Sequence, residues 1–130
     1  MRSPVFYSEN LPTKPKLLEA LGKDSHDFVV IYDRKLLKQA GFKKWLGGFR
    51  ATIGFEAGEK LKDLASFPKN LEKVLKVVPS TFSRSSLTVI AVGGGSIGDF
   101  AGFVASIWKR GVSLVHIPST WLSAFDSAHG

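Results

Sequence analysis

Leu87-Thr-Val-Ile-Ala-Val92 runs directly into Gly93-Gly94-Gly95-Ser96-Ile97-Gly98-Asp99, and no other segment restricts the fold as tightly. Six residues, nearly all apolar or β-branched, predict a strand buried on both faces, as in a parallel sheet covered by helices on each side. Three successive glycines let the backbone turn sharply and approach another group with no side chain in between. From Ser96 to Arg110 the apolar spacing is helical, so the glycines stand where a strand passes into a helix N-terminus. Unpaired amides and the positive end of the helix dipole meet at such a junction, which suits a phosphate or pyrophosphate.

The rest of the chain alternates in the same way. Residues 5–7 predict a short edge strand, and 13–21 a helix with Leu17, Leu18 and Leu21 on one face and Gly22 closing it. Residues 28–32 form a second buried strand. Asp33 stands at its carboxyl end, where it can cap a helix over 34–46. A weaker strand covers 51–55. Glu56 then opens a long amphipathic helix carrying Leu61, Leu64, Leu71, Val74 and Leu75, broken near Pro68. Residues 79–86 are a polar loop, 112–117 a strand ending at Pro118, and 120–127 a last short helix. Strands alternating with helices predict an α/β fold, Rossmann-like, with a mostly parallel sheet flanked by helices. Ligands of such sheets collect at the carboxyl ends of the strands. Asp33, the glycine run and Pro118-Ser119-Thr120 all fall at such ends.

Composition narrows the chemistry. A chain of 130 residues, 44% hydrophobic and 22% charged, is one domain with enough material for a core. The absence of cysteine excludes disulfides, thiolate nucleophiles and cysteine–metal sites. No apolar run approaches the ~18–20 residues that span a bilayer. The start of the chain lacks the apolar stretch of a signal peptide, so no membrane partner and a cytoplasmic location are expected. The net charge of +7 comes from scattered lysines at helical spacing, with no run of five and no aromatic residues interleaved on a basic strand. That distribution argues for solvated helix faces and an anionic small molecule, and against nucleic acid. His116, inside an apolar strand, is expected to be a satisfied packing residue. His26 and His129 have no metal-ligand spacing.

Gly93, Gly95 and Gly98 match G-x-G-x-x-G, but the acidic residue expected some 20 positions later is missing from 113–118. The glycines also follow a late strand, whereas the common dinucleotide unit carries them after its first. Phosphate cradling is therefore expected without the standard dinucleotide geometry. The continuation is more specific. Gly93 through Thr120 closely resembles the 3-dehydroquinate synthase family pattern G-G-G-x-x-G-D-x-x-G-F-x-A-x-x-x-x-R-G, followed by a strand and P-T-T. Asp126-Ser127-x-x-Gly130 looks like the opening of the family's D-S-x-x-G-G-K segment. Upstream, Gly58-Glu59-Lys60-Leu61-Lys62 is similar to its G-E-x-x-K element, and Arg84-Ser-Ser-Leu87 to its lead into the glycine-rich strand.

The resemblance implies an NAD site. Asp33 would meet the adenosine half, although Lys35 stands where the family often has Asn. Glu59, Lys60 and Lys62 would lie at the adenosine ribose. Gly94, Gly95, Ser96, Ile97, Gly98 and Asp99 would line the pyrophosphate and nicotinamide-ribose side. Ser119 and Thr120 replace the paired threonines, keeping both hydroxyls. Asp126 would bind hydroxyls of the substrate, and Arg110 its phosphate, in the family from across a homodimer interface.

The family cyclises 3-deoxy-arabino-heptulosonate 7-phosphate, a sugar phosphate, to 3-dehydroquinate with loss of phosphate, a step of the shikimate route to aromatic amino acids. It uses NAD and a divalent metal, zinc or cobalt, whose glutamate and two histidine ligands belong to a helical C-terminal domain. The chain ends at His129-Gly130, before that domain. By the resemblance, residues 1–130 are an N-terminal NAD-binding domain with no catalytic residue and no metal ligand of its own, inactive alone. Other sugar-phosphate cyclases, and the iron-dependent alcohol and glycerol dehydrogenases with their G-G-G-S-x-x-D run, stay open as alternatives. So does a non-catalytic anion- or nucleotide-binding module.

Overall fold

The structure is a computed structural model that describes residues 11–21, 27–82, 86–108 and 112–118. Four strands form one sheet: β1 (Asp27–Asp33), β2 (Ala51–Phe55), β3 (Leu87–Gly93) and β4 (Ser113–Pro118). Their order is β2-β1-β3-β4 and every neighbouring pair is parallel. All seven residues of β3 are buried, as are the five between the ends of β1. Central strands of a sheet covered on both faces have no wet side, which explains the unbroken apolar runs.

Alternate residues of each strand enter two separate cores. Phe28, Val30, Tyr32, Ile90, Val92, Val115 and Ile117 pack with Leu17 of α1 (Lys14–Leu21) and with Phe42 and Leu46 of α2 (Ala40–Leu46). Val29, Ile31, Leu87, Val89 and Ala91 pack on the other face. There they meet Leu61 of α3 (Glu59–Lys62), Val74 of α4 (Phe67–Val77), and Ile97, Phe100, Ala101 and Val104 of α5 (Gly95–Ile107). Each fully buried Val, Leu, Ile or Phe contributes about 1.5–3 kcal/mol.

From β1 the chain winds outward to β2, then returns across the sheet to β3 and continues to β4. The winding direction therefore reverses between β1 and β3, and in such sheets a crevice opens at that point beyond the carboxyl ends. Asp33 ends β1 and Gly93 ends β3.

Three helices differ from expectation. Residues 34–46 do not form one helix. A 3-10 turn, Arg34–Lys38, comes first, because the Asp33 carboxylate accepts from the Lys35 N–H at 3.0 Å and tightens the turn. Gln39 is extended, and α2 follows. The helix expected from Glu56 is split into α3 and α4 by a turn in which the Asp63 carboxylate accepts from the Ala65 N–H at 3.0 Å. The break does fall near Pro68, on its N-terminal side: Pro68 lies in the first turn of α4, where a missing N–H costs nothing. The helix expected over 96–110 ends at Ile107, with Trp108 already extended. The expected strand at 5–7, the Gly22 cap and the helix at 120–127 lie outside the described residues.

Candidate functional site

The turn from β3 into α5 is built around Gly93. Its φ of +154° is open to glycine alone. A Cβ there would stand 3.0 Å from the Ile97 side chain and 3.3 Å from the Asp33 Cβ. The absent side chain thus lets the ends of β1 and β3 approach each other. Gly94 is the N-cap of α5, with extended backbone and no side-chain cap, so among the described residues no side chain caps the amides of the first turn there. A Cβ on Gly95 would meet nothing within 4 Å. Open space beside uncapped amides at the head of a 13-residue helix suits an anion such as a diphosphate in sign.

Around this turn the structure gathers several residues expected from the sequence. Asp33 is half-buried beside Gly93. The Ser96 hydroxyl accepts from the Gly58 N–H at 3.0 Å, joining the head of α5 to the residue before α3. Gly58 has φ +134°, the second position here that favours glycine. Lys62 and Asp99 form an ion pair across α3 and α5, Nζ to Oδ2 3.8 Å. Both side chains are largely exposed, so the pair contributes little stability and leaves each group available to a ligand. Glu59 is exposed in the first turn of α3. The Ile97 side chain is fully buried, leaving its amide as the group it can offer. Gly98 lies against His116, as a Cβ there would come within 2.9 Å of the imidazole.

Lys60 faces a different space. With Arg34, Lys69 and Lys73 it lines a cavity of about 290 Å³ beyond the carboxyl end of β2. Glu56 is the one carboxylate among that cavity's lining residues, and it pairs with Arg34 at 3.6 Å. Tyr32, one residue before Asp33, has its pKa raised above the usual 10.0 by burial, with the Arg34 charge acting in the opposite direction. Arg110, Ser119, Thr120 and Asp126 lie outside the described residues. Gly93 pairs in register with Pro118, so the end of β4 stands next to the glycine turn. Among the described residues no group of three or more His, Cys, Asp or Glu could hold a metal ion, and these residues do not fit a divalent metal site.

Sequence reasoning missed two contacts. His116 is hydrogen-bonded to the Gly93 carbonyl, Nε2 to O 3.1 Å, beyond its expected packing role. The Ser96–Gly58 bond spans 38 residues. Neither has a local sequence signal, because both depend on how distant elements pack together.

Comparison with known proteins agrees with this architecture. Residues 52–130 match the 3-dehydroquinate synthase N-terminal family. A 3-dehydroquinate synthase of Nostoc sp. is 36% identical over 120 residues, covering 92% of this chain and 28% of that protein. One of Francisella tularensis is 43% identical over 79 residues, 61% of this chain and 21% of that protein. The chain therefore spans between about a fifth and three tenths of the length of these curated relatives. A crystal structure of 2-deoxy-scyllo-inosose synthase shares the fold at TM-score 0.55 and 24% identity, over 78% of this chain and 29% of that one. A second, complexed with carbaglucose-6-phosphate, NAD+ and Co2+, aligns at TM-score 0.53 and 25% identity, over 73% of this chain and 26% of that one. The glycine-rich turn into α5 lies within the matched span, and the chain belongs to the 3-dehydroquinate synthase N-terminal family.

Proposed function

We propose that this chain is the NAD-binding N-terminal part of a 3-dehydroquinate synthase, with the cofactor's pyrophosphate at the head of α5. The observation that carries this reading is the open space over Gly95, next to uncapped first-turn amides, at a turn whose Gly93 packs beside Asp33. Bound NAD supplies a reversible two-electron oxidant for a substrate alcohol. The chain's own residues bind and orient. First-turn amides donate to the diphosphate. The Asp33 carboxylate accepts from a ribose hydroxyl on the β1 side. Glu59 and Lys62, on α3, lie towards the adenosine ribose, with Lys60 and its cationic cavity beside them. Asp99 meets the nicotinamide ribose, and Ser119 and Thr120 add hydroxyls beyond β4.

In the whole protein, Arg110 and Asp126 bind a sugar phosphate, 3-deoxy-arabino-heptulosonate 7-phosphate, within a homodimer. A divalent metal, zinc or cobalt, is held by residues outside this chain. The 130 residues alone do not turn over. A second reading, cyclisation of a different sugar phosphate, is favoured by the likeness to 2-deoxy-scyllo-inosose synthase. The residues that would separate the two cyclisations lie outside this chain.

Calorimetric titration of NAD onto the chain tests the reading. Binding is expected, weakened at least several-fold by Asp33→Ala, Glu59→Ala and Asp99→Ala. Binding left undiminished by all three substitutions would refute the assignment.

A further inference from the structure

The contact between His116 and the glycine turn gives that residue a task in ligand binding. His116 lies on β4 in register with Ala91 of β3, half-buried under the first turn of α5. Its Nε2 is 3.1 Å from the Gly93 carbonyl oxygen. Gly98 makes room for the ring, since a Cβ there would stand 2.9 Å from Cε1 and 3.1 Å from Nε2. The described residues contain no cis peptide bond, so the 93–94 peptide is trans and planar, and its C=O and N–H point in opposite directions. A carbonyl drawn towards His116 turns the Gly94 N–H away from β4, and β1, which ends at Asp33, lies across β3 from β4. Gly93, at φ +154°, is the residue with most freedom to rotate that peptide.

We infer that His116 is a positioning residue: by donating from Nε2 to the Gly93 carbonyl, it aims the Gly94 amide into the crevice where an anionic diphosphate binds. The inference rests on the dinucleotide reading above for its ligand, but not for its geometry. It requires a proton on Nε2, because a bare Nε2 would set two acceptors against each other.

Two measurements test it. In the 130-residue chain, the ¹⁵N shifts of the His116 ring should show a protonated Nε2. A bare Nε2 overturns the inference whether or not NAD binds. The second compares His116→Gln, which keeps an N–H near the position of Nε2, with His116→Met, which keeps the length and removes the donor. The Gln variant should hold NAD affinity within about threefold, and the Met variant should weaken it about tenfold, the worth of one net hydrogen bond. The free chains should melt within a few degrees of each other, and the Gly94 amide resonance should move in the Met variant only. Equal NAD affinity and an unmoved Gly94 resonance in the Met variant, or an equal fall in both variants, overturns the inference. Failure of the unsubstituted chain to bind NAD defeats the functional reading instead, and the ring and Gly94 resonances then decide the role of His116.

Discussion

Alanine at Gly93 and alanine at Gly95 are the same chemical change two residues apart, and the structure assigns them opposite consequences. At Gly93 the backbone sits at φ +154°, a conformation that strains an L-residue by about 1–3 kcal/mol. The new methyl would also lie 3.0 Å from Ile97, itself fully buried, and 3.3 Å from the Asp33 Cβ. Neither neighbour can swing clear, because Ile97 is locked in the core and Asp33 caps the turn after β1. Overpacking of this kind costs about 1–3 kcal/mol. Gly93→Ala should therefore lose about 2–6 kcal/mol, a large share of the roughly 5–15 kcal/mol available to a domain, and lower the melting temperature by roughly 10–20 °C. At Gly95 a methyl touches nothing within 4 Å and occupies a helical position, where alanine is preferred to glycine by up to about 1 kcal/mol. Gly95→Ala should leave stability unchanged or slightly raised. It should weaken NAD binding, because the methyl occupies the space over the first-turn amides. Urea unfolding followed by circular dichroism, together with NAD titration, reads both effects. A loss below about 0.5 kcal/mol at Gly93, or full NAD affinity with alanine at Gly95, would refute the account of the turn.

The Thr88 hydroxyl is fully buried and has no hydrogen-bond partner among the described residues; Thr88→Val should stabilise the chain by about 1 kcal/mol in urea, and a loss of stability would reveal a partner. Tyr32 has its pKa raised above 10.0 by burial, so below pH 10 the ring is neutral whether the chain is folded or not. As pH rises through 10 the unfolded chain ionises first and stability falls. Tyr32→Phe should flatten that alkaline decline in urea midpoints between pH 8 and pH 11, and parallel declines in the two proteins would remove Tyr32 as its source.

The sheet was legible from sequence because its central strands are buried on both faces. Residues 28–32 and 87–92 have almost no polar position to blur the pattern, and the glycine run marks where β3 ends. The winding reversal that makes Asp33 and Gly93 neighbours was not foreseen, because alternation of elements predicts a parallel sheet but not the order of its strands. The helices were less legible. Between Asp33 and Leu46 the apolar spacing is compatible with one helix, and only the side-chain bond from Asp33 to the Lys35 amide shows that the chain prefers a tighter turn. Pro68 signalled the boundary near it, but a proline does not show that it opens the next helix rather than ending the previous one. The Gly93–His116 contact joins residues 23 positions apart and exists only because β3 and β4 pair in a particular register. Ser96 was expected among the ligand-binding residues, and its bond to Gly58 was not foreseen.

A helix of four residues, such as α3, is below the length at which backbone bonds sustain themselves in water. Its order is borrowed from α5: Leu61 is sunk in the shared core, Gly58 leans on the Ser96 hydroxyl, and Lys62 reaches Asp99. An anion arriving at the head of α5 competes for these same attachments or tightens them. Amide exchange along 58–62 should therefore register occupancy at the head of α5 through these attachments as well as through the ligand's own contacts with α3.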